Sequence, residues 1–238
     1  MRVLFALNHT AHYYLFKYIE KSLRDKGYET KIVIRDKDIL ERLLISESAK
    51  YTIINRKRNR KKNAFSVISK GILELVQQDV NMFRVVRKFK PEFLLGTDIA
   101  ITHIGKLLGI PSFVFNEDDY EINQLFCKAS YPFATHIVAP NYTSVGKHIN
   151  KKISYNGIQK MAYLNKKYFI PNNEVLNDLG LDEKDSFVII RLVSLTAGHD
   201  IEGKHKGISI ETLKKIINIL KDKYKIFITS EEKLPDEY

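Results

Sequence analysis

Two histidines, His9 and His12, stand in the stretch Asn8-His9-Thr10-Ala11-His12, directly after the apolar run Val3-Leu4-Phe5-Ala6-Leu7. Imidazole is the side chain that exchanges a proton with a hydroxyl near neutral pH, so either ring can serve as a general base. At a helix N-terminus, His12 would be held neutral by the helix dipole and lie within reach of a bound phosphate or hydroxyl. Thr97-Asp98 and Asn116-Glu117-Asp118-Asp119 close two further apolar runs, and Arg191, His199 and Asp200 follow a third. Asp98 and Glu117 can bind hydroxyls or act as an alternative base, and they can equally cap the helices that follow. Arg191 suits a diphosphate, or a buried ion pair with an acid. His9 and His12 have a plain alternative as capping or packing residues. The sequence has no metal-ligand spacing, no phosphate-loop lysine motif and no glycine-rich dinucleotide fingerprint, so neither a metal nor a cofactor is expected.

The surrounding elements determine whether these residues meet. Five apolar residues after Arg2 are too few for a helix and too apolar for an edge strand, so they read as a strand buried on both faces. Phe16, Ile19 and Leu23 then recur at helical spacing, and Gly27 falls where a helix C-cap glycine belongs. Strands are expected at Tyr28 to Ile34, Tyr51 to Ile54, Phe93 to Gly96, Pro111 to Phe115 and Ala134 to Ala139. The helices between them are a short one capped by Asp36 or Asp38, Ser66 to Lys88 (ended by Lys90-Pro91), Ile99 to Leu108 (stopped by Gly109), and Tyr120 to Ala129. This alternation specifies an α/β fold with a Rossmann-like, doubly wound parallel sheet. The polar residues fall at the carboxyl ends of strands, so Asn8, His9, His12, Thr97, Asp98, Glu117 and Asp119 are expected to border one crevice.

Residues 141 to 180 are less regular, with a turn at Tyr155-Asn156-Gly157. A second β-α-β unit starts near residue 186, and about 50 residues remain where a doubly wound domain takes roughly 100. The expected organisation is an N-terminal Rossmann-like domain over residues 1–170 and the start of a second, truncated one over 171–238.

The chain has 238 residues, is 44% hydrophobic and carries a net charge of +11. That composition makes a globular protein and favours anionic partners. No apolar run reaches the roughly 18 residues of a spanning helix. The single cysteine, Cys127, excludes an internal disulfide framework, suits a reducing cytoplasm and reads as a buried helix residue. Six of the eight residues Asn55 to Lys62 are basic. The run Arg56 to Lys62 reads as a solvated connector, or as a contact with the anionic inner membrane face, where each basic residue adds about 1 kcal/mol. Nucleic acid is disfavoured, because no stacking aromatics are interleaved.

Four segments, taken together, resemble the domain-of-unknown-function family numbered 354. They are Asn8 to Lys17, a histidine loop opening an aromatic-rich helix; Ile110 to Asp119, a proline-serine-phenylalanine strand ending in acids; Tyr155 to Leu164; and Ile190 to Asp200. The chain departs from the family pattern at Thr10 and Ala11, where prolines are usual, at Glu117-Asp118-Asp119, and by Gly198 before His199. The resemblance implies two Rossmann-like domains of the glycosyltransferase B (GT-B) type, similar to glycosyltransferases and to UDP-N-acetylglucosamine 2-epimerases. It further implies an acceptor on the N-terminal domain and a nucleotide sugar gripped by the C-terminal one, and it transfers no established catalytic residue. The leading expectation is a metal-independent glycosyltransferase-like protein of surface polysaccharide or glycoconjugate synthesis. It would use a nucleotide-diphosphate sugar and a carbohydrate or lipid-linked acceptor. On that reading His12, His9 and Asp98 are catalytic candidates, and Asn8, Thr10, Thr97, Glu117, Asp119, Arg191, His199 and Asp200 are substrate-binding candidates. The alternatives are a nucleotide-sugar 2-epimerase-like enzyme and a truncated, non-catalytic protein of the same fold.

Overall fold

A computed structural model describes residues 1–35, 38–55, 65–182, 184–192 and 208–230. The chain divides into two compact units, with the break after Phe169. In the first unit, seven parallel strands form one sheet in the order β3-β2-β1-β4-β5-β6-β7. They are β1 (Arg2–Leu7), β2 (Glu29–Arg35), β3 (Tyr51–Asn55), β4 (Phe93–Gly96), β5 (Ser112–Phe115), β6 (His136–Pro140) and β7 (Lys152–Tyr155).

Strand β1 shows why the sheet must be covered on both sides. Leu4 and Ala6 pack on one face with Met82, Val86, Ala100 and Ile101. Val3, Phe5 and Leu7 pack on the other with Tyr13, Phe16, Leu40 and Leu44. Helices α1 (Thr10–Asp25) and α2 (Asp38–Ser46) therefore cover one face, and α3 (Phe65–Phe89) and α4 (Ile99–Leu108) the other. The long α3 carries the chain across the sheet, so strand order reverses between β1 and β4. Their carboxyl ends flank the switch point at which open α/β sheets bind ligands.

The structure extends the sequence reading at three places. The sheet has a seventh strand, β7, on its edge, where no strand was expected. Its Lys152-Ile153-Ser154-Tyr155 lacks the apolar run of a buried strand because an edge strand pairs on one side only. Helix α5 spans Gln124–Ser130 and not Tyr120 to Ala129. The Asp119 carbonyl accepts from the Ile122 and Asn123 amides, which holds the preceding residues in a turn. Strand β6 begins at His136 because the Phe133 and Ala134 amides are taken by the Ser130 carbonyl.

After β7 the chain passes through α6 (Met161–Leu164), where Tyr163 meets Tyr14 of α1 with ring centroids 5.4 Å apart. Farther on, Tyr168 stacks on Tyr18 at 4.1 Å, and the Tyr18 hydroxyl donates to the Tyr168 carbonyl. Residues 156–168 thus form a strap from the sheet edge back to the first helix.

The second unit, from Ile170, contains α7 (Glu174–Asp178), β8 (Phe187–Leu192), α8 (Ile210–Leu220) and β9 (Lys225–Ser230). Strands β8 and β9 pair in parallel around α8, whose N-cap Ser209 accepts from the Thr212 amide.

Candidate functional site

The carboxyl ends of β1, β2 and β4 meet at the switch point. The Asn8 side chain spans it: its Nδ2 donates to the Thr97 carbonyl at 3.2 Å, and its Oδ1 accepts from Arg35 Nε at 3.2 Å. Close approach of β1 and β4 makes this reach available. A Cβ on Gly96 would collide with the Ala6 backbone carbonyl, so only glycine fits there.

Asp98 lies beneath this bridge and is 1% exposed. It caps α4, its Oδ1 accepting from the Ala100 amide at 2.8 Å. Both its oxygens lie 2.6 Å from Gln78 Nε2, and Oδ2 is 3.6 Å from Arg35 Nε. Gln78, itself 2% exposed, accepts from Arg35 Nη1 at 3.1 Å. A buried carboxylate with these partners is committed to holding α4 and Arg35 in place. Of the two roles open to Asp98 from sequence, this geometry favours capping over proton abstraction.

Both histidines are held through Nδ1. His12 Nδ1 lies 3.3 Å from the Asn8 amide nitrogen and 2.6 Å from Thr97 Oγ1. His9 caps α1, its Nδ1 accepting from the Ala11 amide at 3.2 Å. The two rings stand edge to face with centroids 5.9 Å apart. Thr10 opens α1 beside them.

Glu117 and Asp119 share the rim but bond elsewhere. Glu117 Oε2 accepts from the Gln159 amide at 3.1 Å, and Oε1 pairs with Lys160 Nζ at 2.5 Å. That hydrogen bond pushes the Lys160 pKa up. Asp119 Oδ1 accepts from the Ser144 amide at 2.7 Å. Glu117 therefore pins the start of the strap, and Asp119 fixes the loop after β6. Burial, together with the Glu117 charge, raises the Tyr155 pKa to about 12.

Arg191 lies on β8 in the second unit and is exposed. His199 and Asp200, and the basic run Arg56 to Lys62, lie outside the described residues. Cys127 is fully buried in α5, as expected. Among the described residues, no three His, Cys, Asp or Glu side chains converge on one point, and no helix is long and apolar enough to cross a membrane.

Sequence reasoning missed Arg35 and Gln78. Each left a signal. Arg35 ends a buried strand just as Asn8 follows one, and Gln78 stands at i−4 and i−8 from the core residues Met82 and Val86, a polar group on an apolar stripe.

A groove of about 370 Å³ lies away from this rim, between α1 and the strap, lined by Leu15, Tyr18, Ile19, Leu23, Met161 and Tyr168. It lacks the convergent polar groups of the switch point.

A model of a family of proteins of unknown function, DUF354, matches residues 1–235. No curated protein matches the sequence. Among solved structures, the UDP-GlcNAc 2-epimerase from Neisseria meningitidis bound to UDP-GlcNAc superposes with a TM-score of 0.63 at 13% identity, over 98% of this chain and 73% of that one. The S. aureus MnaA–UDP structure gives 0.61 at 14% identity, over 98% and 63%. A glycosyltransferase from Rickettsia africae gives 0.53 at 14% identity, over 98% and 68%. The chain therefore spans about two thirds of the length of these proteins, and the likeness is one of fold, the GT-B type.

Proposed function

We propose that the chain, which belongs to the DUF354 family, is glycosyltransferase-like and acts on a nucleotide-diphosphate sugar in surface polysaccharide or glycoconjugate synthesis. The observation that carries this reading is the polar switch point, where Asn8, His12, Thr97 and Arg35 converge over a buried Asp98. Two helix N-termini, those of α1 and α4, open onto the same rim, and such termini favour ligand oxygens bearing negative charge.

The first unit is the recognition half. His12, held at Nδ1 by Thr97, exchanges a proton with a sugar hydroxyl. His9 lies one helical turn away at the mouth. Asp98 acts through Arg35 and α4, as a positioning residue. The acceptor, carbohydrate or lipid-linked, lies over this rim. The second unit takes the nucleotide, with Arg191, His199 and Asp200 on its diphosphate. The nucleotide sugar enters as substrate. The Neisseria and S. aureus structures, bound to UDP-GlcNAc and to UDP, support a uridine nucleotide as the first to try.

A 2-epimerase-like reaction on the nucleotide sugar is the second reading, favoured by the same two ligand-bound structures. It differs in needing no acceptor, so turnover of the nucleotide sugar alone would select it.

Thermal unfolding against a panel of nucleotide sugars and free nucleotides tests the proposal. A ligand at 100 times its Kd adds about 2.7 kcal/mol, a clear rise in Tm. The expected result is a selective rise with one nucleotide sugar, diminished in His12→Ala and in Arg191→Ala. A flat panel in the wild-type chain would overturn the reading.

A further inference from the structure

We propose that Arg35 is an oxyanion receptor built into the switch point, taking a phosphate or carboxylate group of the ligand in the crevice. The inference rests on the crevice being a ligand site, and it adds the charge class of that ligand.

Arg35 is the last residue of β2, so its backbone is fixed by the sheet. Its guanidinium plane is fixed by bonds from two of its nitrogens. Nε–H donates to Asn8 Oδ1 and Nη1 to Gln78 Oε1, with Asp98 Oδ2 3.6 Å from Nε. These bonds use two of the five N–H donors an arginine carries, counted among the described residues. The partners that hold it, Gln78 and Asp98, are 2% and 1% exposed, whereas the Arg35 side chain is 43% exposed. An arginine that served only to neutralise Asp98 would aim its forked end at the carboxylate. Here the contact to Asp98 is the longest of the three, and Asp98 is already supplied with N–H donors by Ala100 and Gln78. A planar guanidinium fixed at Nε and Nη1 keeps its remaining N–H donors in set directions, which pre-organises it for charge-assisted bonds to an oxyanion. The N-termini of α1 and α4 add positive potential at the same rim.

The test is thermal unfolding of the full chain, wild type and Arg35→Lys, in graded inorganic phosphate, with chloride of matched ionic strength as the baseline. Glucuronate and glucose provide carboxylate and neutral arms, and the nucleotide sugars are run in parallel. Lysine keeps a cation beside Asp98 but cannot offer the fork. The expected result is a phosphate-dependent rise in wild-type Tm beyond chloride, with phosphate bound about tenfold or more weakly by Arg35→Lys. Glucose gives no rise in either protein. Equal phosphate responses in the two proteins, or none beyond chloride in the wild type, overturn the proposal.

The arms separate the sources of the anion. A nucleotide-sugar response lost in Arg35→Lys assigns the oxyanion to the diphosphate, and a glucuronate response lost there assigns it to a carboxylate on the acceptor. A nucleotide-sugar response equal in both proteins, with no phosphate response, removes the role of Arg35 and leaves the proposed function standing. A phosphate response lost in the variant, with no nucleotide-sugar response in either protein, supports Arg35 and removes that function. If Arg35→Lys fails to fold, the Nε resonance of Arg35 followed through the phosphate titration of the wild type reads the same contact, and a stationary resonance overturns the proposal.

Discussion

Asp98→Ala is expected to destabilise the first unit by about 3 kcal/mol, and the sum can be worked from its contacts. Losing the N-cap bond to the Ala100 amide costs about 1 kcal/mol. Gln78 Nε2, buried with a carboxylate as its acceptor, is left without one, which costs about 1–3 kcal/mol. The Arg35 pair adds little, about 0–1 kcal/mol, because 43% of that side chain meets solvent. For a unit of this size, about 3 kcal/mol corresponds to a Tm lower by roughly 6–12 °C. Asp98→Asn retains an acceptor for the Ala100 amide but sets an amide nitrogen against Gln78 Nε2. Gln78 must then flip and surrender its bond from Arg35, a loss of about 1 kcal/mol. The chain has no tryptophan, so urea unfolding is followed by far-UV circular dichroism and tyrosine absorbance. Gln78→Met completes a double-mutant cycle. Once the donor is gone, Asp98→Ala should cost about 1–2 kcal/mol less than in the wild type. A loss below about 0.5 kcal/mol for Asp98→Ala, or a cycle without coupling, would refute the assignment of Asp98 as cap and anchor.

Other expectations concern separate parts of the first unit. His103 donates from Nδ1 to Asp79 at 2.9 Å and from Nε2 to the Ala129 carbonyl at 2.8 Å, and its pKa is raised chiefly by the bond to Asp79. Its stabilisation is therefore full below about pH 6.5 and lost as pH rises through the raised value. Burial lowers the His148 pKa and Lys151 lowers it further, which acts in the opposite sense, so the readout is wild type minus His103→Gln from pH 5 to 9. A difference that grows with pH would contradict the pairing. Gly96→Ala should cost about 3 kcal/mol or more, since the added methyl meets the Ala6 backbone, whereas Gly109→Ala, with φ of 68° and open space around it, should cost only about 1–2 kcal/mol of backbone strain. Comparable losses in urea unfolding would show that the strand contact is not tight. Lys160→Ala removes the strap's ion pair with Glu117, and amide exchange of residues 158–164 should quicken while that of β1 is unchanged; uniform exchange would refute a local role for the pair.

The fold was legible because its signals are local. Alternate residues of β1 are apolar on both faces, Gly109 takes the left-handed cap, and α4 runs from Ile99 to Leu108 as its pattern indicates. Strand β7 was not, since an edge strand with Lys152 and Ser154 has the composition of a loop. The site was half legible. Its strand-end residues follow from the alternation of elements, but their partners depend on pairings far apart in sequence: Asn8 with Thr97, 89 residues on, and Arg35 with Gln78, 43 residues on. Nor does residue type reveal that Thr97 and the Asn8 amide hold His12 at its Nδ1.

The strap also imposes an order on biosynthesis. Tyr18 and Tyr168 are 150 residues apart, and a ribosome adding roughly 5–20 residues per second takes about 8–30 s to make that stretch. Through that interval α1 has emerged without the ring that stacks on Tyr18 or the one that meets Tyr14. The first helix made is thus the last to be fastened, by the final segment of its own unit. Contacts of such long sequence separation slow folding, and the uncovered tyrosines give chaperones a nascent-chain surface for as long as translation of this unit lasts.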